Sequence, residues 1–110
     1  MQRSHHCNQL RKSDSGKSVQ LFGWIDRRRD HGGIIFIDLR DKWGITQVVF
    51  SPEHSAELHA QADTLRNEWV IAVEGVVRPR PGDMINPNRA TGEVEVLADR
   101  LTVLNKAETA

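Results

Sequence analysis

Apolar and polar residues alternate along several stretches of the chain, which is the pattern of β-strands with one buried face. The clearest stretch is IIFIDLRD, residues 34–41. Because successive side chains of a strand point to opposite faces, Ile35, Ile37 and Leu39 share one face, which we predict to be a core face. The other face combines a carboxylate, a guanidinium and the ring of Phe36. A phenylalanine on a face that should meet water needs an explanation other than packing.

Similar patterns predict five strands and one helix along the chain. Runs of apolar, β-branched and aromatic residues predict strands at residues 18–27, 34–41, 45–51, 69–80 and 94–105. After the third strand the apolar residues recur at helical spacing, at Leu58, Ala62, Leu65 and Trp69. Since a proline also follows Ser51 at a favourable helix start, this spacing predicts one amphipathic helix over residues 52–68.

Glycine and proline mark the connections between these elements. Gly23 predicts a bulge or a sharp bend inside the first strand, and RRDHGG, residues 28–33, predicts a turn. Residues 79–93 hold three prolines and two glycines, which predicts a long loop. The first 17 residues are polar with little periodicity, so we expect an arm with at most a short helix.

Five strands with one helix between the third and the fourth is the element order of an OB-fold, although other small barrels share it. We therefore predict an all-β fold with one helix, a five-stranded Greek-key barrel over residues 18–105 that follows the arm, residues 1–17. In an OB-fold the second and third strands and the adjoining loops bind oligonucleotides or oligosaccharides. We therefore expect the functional residues on the exposed face of those strands.

Length and composition predict one soluble intracellular domain. The chain has 110 residues and one cysteine, Cys7, which excludes an internal disulfide and a multi-cysteine zinc site. A single free thiol favours a reducing, cytoplasmic setting. No apolar run approaches the roughly 20 residues that span a bilayer, and no signal-peptide pattern follows the first residue. His5, His6 and Cys7 are of metal-ligand types, but adjacent residues rarely converge on one ion, so we expect no metal site.

The net charge of zero conceals an asymmetry between the two halves of the chain. Residues 1–50 carry nine Lys and Arg against five Asp and Glu, whereas residues 51–110 carry six against ten. This balance argues against nonspecific wrapping of nucleic acid but allows a local basic patch. The densest basic cluster is Arg27, Arg28 and Arg29, a few residues before Phe36.

Phe36 and the arginines together indicate a surface for unpaired bases. Stacking one base on an aromatic ring contributes about 1–3 kcal/mol, and arginines neutralise phosphates or bond to base edges. Gln47, polar in an apolar strand, can offer a base both a donor and an acceptor. The arginines that share a strand phase are Arg27 with Arg29, and Arg78 with Arg80. We therefore predict that Phe36 is a stacking surface.

Catalytic equipment is not evident in the sequence. The pairs Asp38 with Asp41 and Glu93 with Glu95 have no nucleophile or positioned histidine beside them, so structural or base-contacting roles are favoured. The chain contains no P-loop, no G-x-G-x-x-G and no G-x-S-x-G. Two classes of function remain beside base-specific recognition, namely a free-standing binder of single-stranded DNA or RNA and a protein-interaction module.

Longer strings of the sequence resemble a known family. GWIDRRRDHGGIIFIDLRDKWGITQVVF closely resembles the N-terminal anticodon-binding domain of bacterial-type aspartyl-tRNA synthetases, and the likeness continues through LRNEWVIAVEGVVRPR, INPN and ATGEVEVLADRLTVLN. It covers nearly the whole chain. The related asparaginyl and lysyl enzymes share the fold with looser motifs and without the arginine run. The resemblance implies a binding domain whose last residues, 106–110, begin the hinge to a catalytic domain.

The resemblance implies a role for each matching residue around the anticodon. Phe36 would stack on the central base, a uridine, and Gln47 would hydrogen-bond to it. Arg29 would contact the third base, with Arg27 supporting the RNA backbone or loop. The first base, a guanine, would lie near Arg80 and Glu95. Phosphate contacts or structural roles are implied for Arg78 and Arg66.

The resemblance also implies partners and cofactors for the parent enzyme. That enzyme would activate aspartate with ATP and magnesium, esterify it to tRNA and act as a homodimer. No residue for that chemistry is expected in this chain, so we expect no cofactor here.

Two positions bear on which tRNAs the parent accepts, because aspartate and asparagine anticodons differ only in the third base. Members that look strict are expected to have leucine after the R-R-R-D run and asparagine before the I-N pair. Here the residues are His31, followed by two glycines, and Met84. A histidine can donate or accept a hydrogen bond, whereas a methionine is soft enough to pack on either pyrimidine. This combination resembles the branch that charges both tRNAs with aspartate and leaves an amidotransferase to convert one product.

Overall fold

The structure is a computed structural model that describes residues 2–107, and its strands close into one barrel. The strands are β1 (Ser18–His31), β2 (Ile34–Arg40), β3 (Ile45–Phe50), β4 (Val70–Pro79) and β5 (Val94–Asn105). Around the barrel the order is β1, β2, β3, β5 and β4, with every neighbouring pair antiparallel except β3 and β5. The predicted five-stranded barrel is confirmed.

The alternation of β2 places its side chains as the sequence predicts. Ile35, Ile37 and Leu39 are fully buried in the core, together with Val48 and Phe50 of β3. The intervening residues of both strands therefore point to the outer face of the barrel. This outer face carries the candidate site.

β1 is longer than predicted and ends at His31 rather than within the arginine run. The predicted turn over residues 28–33 is wrong, since it consists of Gly32 and Gly33 alone. Their φ angles are 59° and 79°, as a two-residue type I′ hairpin turn requires of both central residues. The three arginines belong to β1 because their backbones pair with β2. This pairing does not depend on the kind of side chain that they carry.

The irregularity of β1 lies at Asp26, three residues beyond the glycine at which we predicted a bulge or bend. Ile25 pairs with Leu39 and Arg27 with Asp38, so one extra residue, Asp26, stands between them. Gly23 is regularly paired with β4 and is required for another reason. A Cβ at Gly23 would lie 2.4 Å from the carbonyl oxygen of Arg40, so it marks a close approach of β2.

The helix is shorter than predicted. Within the described chain the one α-helix, α1, spans Ala56–Ala62 between β3 and β4 instead of residues 52–68. It begins after Ser55, whose hydroxyl accepts a hydrogen bond from the backbone N–H of Leu58 and so caps the helix. Residues 52–54 form a turn. Leu65 is buried beyond the end of the helix. The helical spacing of the apolar residues therefore continues past the last residue of the helix itself. No helix among residues 2–107 is long and apolar enough to cross a membrane.

The N-terminal segment packs on the barrel, whereas we expected an arm. Cys7 and Leu10 are fully buried, and the hydroxyl of Thr46 donates to the carbonyl of Cys7 at 2.9 Å. Burial raises the pKa of the Cys7 thiol well above its usual value. Across residues 2–107 no three His, Cys, Asp or Glu side chains are grouped to hold a metal ion. Residues 108–110 of the predicted hinge lie outside the described residues.

The β2–β3 loop, residues 41–44, is closed by one buried carboxylate. Asp41 Oδ1 accepts from the backbone N–H groups of Trp43 and Gly44 at 2.9 and 3.1 Å. Its Oδ2 accepts from the N–H of Cys7 at 2.8 Å. Burial alone would raise the pKa of Asp41, but these three backbone donors outweigh it and lower the pKa. The loop and the N-terminal segment are therefore held by the same side chain.

Candidate nucleic-acid interface

The strand register decides which arginines face outward. Beyond the bulge at Asp26, Arg27 pairs with Asp38 and Arg29 with Phe36, so both arginines lie on the outer face. Unbroken alternation from Ile25 would have placed them on the core face, and the extra residue reverses the phase. The prediction that Arg27 and Arg29 share a face is confirmed. The bulge is the local feature that directs both side chains to the site.

Arg28 points the other way and fastens the end of α1. Its Nη1 donates to the carbonyls of Asp63 and Leu65 at 2.8 and 2.9 Å. Its other nitrogens bond to the carboxylates of Asp30 and Asp63. These bonds, above all that with Asp30, raise the pKa of Arg28. Arg28 therefore stabilises the packing of β1 against the end of α1 and does not contribute to the outer face.

A cleft of about 680 Å³ lies between the outer faces of the strands and the β4–β5 loop, residues 80–93. It brings together nine of the ten site residues that the sequence suggested: Arg27, Arg29, His31, Phe36, Gln47, Arg78, Arg80, Met84 and Glu95. The tenth, Arg66, is exposed beyond α1 and does not line the cleft. Residues far apart in sequence thus line one concave surface, the cleft.

Phe36 presents a half-buried ring to the cleft. The guanidinium carbon of Arg29 lies 5.5 Å from the ring centroid, within the range of a cation–π contact. Val49 pairs with Phe36 across the strands and is fully buried. The ring is thus less exposed than the sequence suggested. It packs beside Arg29 and lines the cleft.

A chain of hydrogen bonds crosses the base of the cleft. Arg29 Nη2 donates to Gln47 Oε1 at 2.9 Å, and Gln47 Nε2 donates to Glu95 Oε1 at 2.9 Å. Arg78 Nε donates to the second oxygen of Glu95 at 2.8 Å. These partners fix which end of the Gln47 amide is oxygen and which is nitrogen. Four strands therefore contribute to one oriented polar network.

The network limits what Gln47 can offer a ligand. The amide is only 5% exposed and is not an open donor–acceptor pair, because each end already has a protein partner. One N–H and one oxygen lone pair remain for a ligand. Glu95, equally buried, retains a lone pair on each oxygen. The hydrogen bonds thus fix the orientation of both side chains and leave each of them few further hydrogen bonds to make with a ligand.

The cleft has an excess of positive charge. Its charged residues are five arginines, Arg27, Arg29, Arg78, Arg80 and Arg89, and three acids, Asp38, Asp83 and Glu95. The Arg80 guanidinium donates to two backbone carbonyls, from Nε to Val94 at 3.2 Å and from Nη1 to Met84 at 3.1 Å. Burial lowers the pKa of Arg80. Within residues 2–107, Arg27 is the cleft arginine whose guanidinium forms no hydrogen bond or salt bridge.

Sequence reasoning missed Arg89 and misjudged Asp38. Arg89 donates two bonds to the Asp38 carboxylate, at 3.0 and 3.1 Å, and this pairing raises the pKa of Arg89. Asp38 is 5% exposed rather than water-facing, because the β4–β5 loop covers it. The only signal in the sequence was a carboxylate on the strand face that we predict to bind bases. That signal gives no indication of a partner 51 residues away.

Comparison with known proteins agrees with this architecture. A family model described as an OB-fold nucleic acid binding domain matches residues 19–104. An aspartate–tRNA(Asp/Asn) ligase from Desulfatibacillum aliphaticivorans is 59% identical over 99% of this chain, and one of the same name from Desulfotalea psychrophila is also 59% identical. The chain spans 18% of the length of each of these relatives. The crystal structure of asparaginyl-tRNA synthetase from Pyrococcus horikoshii matches with a TM-score of 0.77 and 28% identity, over 94% of this chain and 23% of that one.

Proposed function

The chain belongs to the OB-fold nucleic acid binding domain family, and we propose that its cleft binds the anticodon loop of a tRNA as one domain of an aspartate–tRNA ligase. The observation that carries the proposal is the oriented network of Arg29, Gln47, Glu95 and Arg78 beside the ring of Phe36. A stacking surface next to fixed donors and acceptors is what reading an unpaired base requires. Catalytic chemistry would belong to other parts of the enzyme.

In this proposal each part of the cleft takes one anticodon base. The central uridine stacks on Phe36 and bonds to the remaining donor and acceptor of Gln47. The first base, a guanine, donates to a free lone pair of Glu95, with Arg80 beside it. Arg29 lies over Phe36 and contacts the third base. The support for these assignments is the order of the residues across the cleft together with the family resemblance.

Phosphate contacts fall to the arginines that keep free donors. Arg27 is exposed and lines the cleft without a protein partner among residues 2–107, so we assign it to the RNA backbone. Among residues 2–107, Arg78 forms a hydrogen bond through its Nε alone, and its other donors extend the same role. Arg66 lies outside the cleft and receives no contact in this proposal.

The activity of the complete enzyme is part of the proposal. The relatives are named as ligases that act on tRNA(Asp) and tRNA(Asn). We propose that the enzyme containing this domain is a cytoplasmic homodimer that activates aspartate with ATP and magnesium and transfers it to tRNA. This chain would supply recognition alone, and we assign no ATP or magnesium site to it.

Relaxed choice between the two tRNAs follows from His31 and Met84. Both line the cleft, and Met84 is 55% exposed, so it offers a deformable apolar contact to either pyrimidine. The test is aspartylation of both tRNAs by the full-length enzyme, comparing wild type with His31→Leu and Met84→Asn. We expect wild type to charge both and each variant to favour the C-ending anticodon. A wild-type enzyme that strongly favours that anticodon would contradict the proposal.

A binding experiment separates anticodon recognition from its rivals. The 110-residue chain is titrated by fluorescence anisotropy against a stem-loop with a GUC anticodon, a stem-loop with a scrambled loop, and poly-dT. We expect GUC to bind at least about tenfold more tightly than the other two, since each wrong base costs about 1–3 kcal/mol. Equal binding of all three would indicate a nonspecific single-strand binder. Binding of none would indicate a protein-interaction surface.

A further inference from the structure

The β4–β5 loop forms one wall of the cleft, and its backbone bonds fix its shape. Met84 N donates to the carbonyl of Pro81 at 2.8 Å, and Asn86 N donates to that of Gly92 at 3.0 Å. Gly92 allows this turn, because a Cβ there would lie 1.8 Å from the carbonyl oxygen of Asn86. These bonds lie within the loop. They do not fix its position over the sheet.

Two side chains fasten the loop to β2 and β3. The hydroxyl of Thr91 donates to the carbonyl of Ile45. Arg89 forms its bidentate pair with Asp38 on β2, and among residues 2–107 this is the only salt bridge made by residues 80–93. A bidentate pair fixes both the separation and the relative plane of the two groups. Because Asp38 is buried, salt screens the pair less than it screens a surface ion pair.

We infer that Asp38 and Arg89 are positioning residues that hold the β4–β5 loop, with Met84 and Asn86, at a set distance from Phe36. The inference rests on the proposed function for the identity of its ligand. Its physical basis is preorganisation, since a wall that is already in place need not be ordered when RNA binds. The pair would therefore raise the affinity of the cleft for the anticodon loop.

A direct phosphate contact by Arg89 is the competing role, and the two roles predict opposite effects for Asp38→Asn. The substitution removes a negative charge from a site for an anion and frees Arg89, so a purely electrostatic role gives tighter binding of RNA. Loss of positioning gives weaker binding despite the more positive cleft. The sign of the change therefore decides between them.

The matched control is Asp26→Asn. Asp26 on β1 pairs with Arg40 on β2 at 3.2 Å, but both side chains are substantially exposed and neither residue lines the cleft. Asp26→Asn removes the same charge close to the site, but it keeps the extra residue of the bulge and therefore the facing of Arg27 and Arg29. It also leaves the salt bridge between Asp38 and Arg89 in place. Any general effect of neutralising an acid near the cleft should appear in this variant.

The experiment measures two quantities in the 110-residue chain, for wild type, Asp38→Asn, Arg89→Lys and Asp26→Asn. Fluorescence anisotropy gives the Kd for the GUC stem-loop and for a stem-loop with a scrambled loop. Hydrogen exchange gives the protection of the loop amides of Asn86 and Gly92, with β5 amides reporting global folding. We expect Asp38→Asn to bind the GUC stem-loop about tenfold more weakly and to exchange faster in the loop.

Arg89→Lys should fall between wild type and Asp38→Asn, because lysine keeps the charge but not the bidentate geometry. Asp26→Asn should bind as tightly as wild type or slightly more so. Unchanged loop exchange with equal or tighter binding by Asp38→Asn would overturn the inference. Should Asp38→Asn not fold, the same two readouts on Arg89→Lys decide. If wild type shows no selectivity for the GUC stem-loop, the proposed function fails, whereas loop exchange still decides the positioning role.

Discussion

The β2–β3 loop and the cleft both bury carboxylates, but they satisfy them with different partners. Asp41, in the loop, accepts three hydrogen bonds from backbone N–H groups. In the cleft, Asp38 and Glu95 accept from the side chains of arginines and a glutamine. All three carboxylates are at least nine-tenths buried, so burial alone does not separate structure from function.

The nature of the donor makes the difference. A backbone N–H has one hydrogen to give, so the three donors to Asp41 have nothing left for a ligand. An arginine has five N–H groups, and after bonding to a carboxylate it still presents donors and charge to an open volume. The arrangement at Asp41 stabilises the loop and leaves no donor for a ligand. The arrangement in the cleft is preorganised and still has donors that a ligand can use.

The largest expected effect is on stability, at the β2–β3 loop. Asp41→Ala leaves the N–H groups of Cys7, Trp43 and Gly44 without their acceptor, and bonds to a charged group are strong. We expect the free energy of unfolding to fall by about 2–4 kcal/mol in urea titration. The folded fraction should bind RNA as wild type does. A stable variant with impaired binding would show that this region belongs to the site.

The next effect is on affinity, in the cleft. Phe36→Ala should weaken binding of the GUC stem-loop by about 1–3 kcal/mol, the contribution of one stacked base. Stability should change little, because the ring lies outside the core. Anisotropy and thermal unfolding measure the two quantities on the same sample. A large loss of Tm with unchanged affinity would return Phe36 to the core.

Gln47→Ala should act on selectivity more than on affinity. Preference for uridine at the central base should fall by about 1–3 kcal/mol, measured with stem-loops that carry each base there. Because the amide also bonds to Arg29 and Glu95, we expect a stability cost of about 1 kcal/mol as well. Undiminished selectivity would mean that the network supports the site without reading the base.

Arg28→Ala gives the smallest expected effect on RNA and separates two adjacent arginines. Because Arg28 faces α1, we expect a weak change in affinity that is uniform across sequences, within about 0.5 kcal/mol. Loss of its bonds to Asp63 and Leu65 should lower stability by about 1–2 kcal/mol. If Arg28 proved more base-selective than Gln47 or Arg29, the facing of this strand would be wrong.

The sequence predicted features that depend on local periodicity. Alternation in β2 placed Ile37 in the core and Phe36 outside, and the spacing of Arg27 and Arg29 put them on one face. It did not predict which face, because one extra residue, Asp26, reverses the phase of β1. Local patterns give relative phase, whereas a bulge shows only in the pairing with the neighbouring strand.

Features that depend on long-range contacts were missed or misread. The pairing of Asp38 with Arg89 joins residues 51 apart, and nothing near either residue indicates the other. The burial of Cys7 beneath a polar segment depends on Asp41 in the same way. The helix was predicted too long because Leu65 continues the apolar period from a loop that packs on the core.

The most direct test of the cleft as the RNA site maps where RNA binds on the unmodified chain. Isotope-labelled protein is titrated with the GUC stem-loop, and amide chemical shifts are followed by NMR. We predict the largest changes at Arg29, Phe36 and Gln47 and in the β4–β5 loop, with little change at the β2–β3 loop. Changes centred on Trp43 and Gly44, with the cleft amides unmoved, would contradict the assignment.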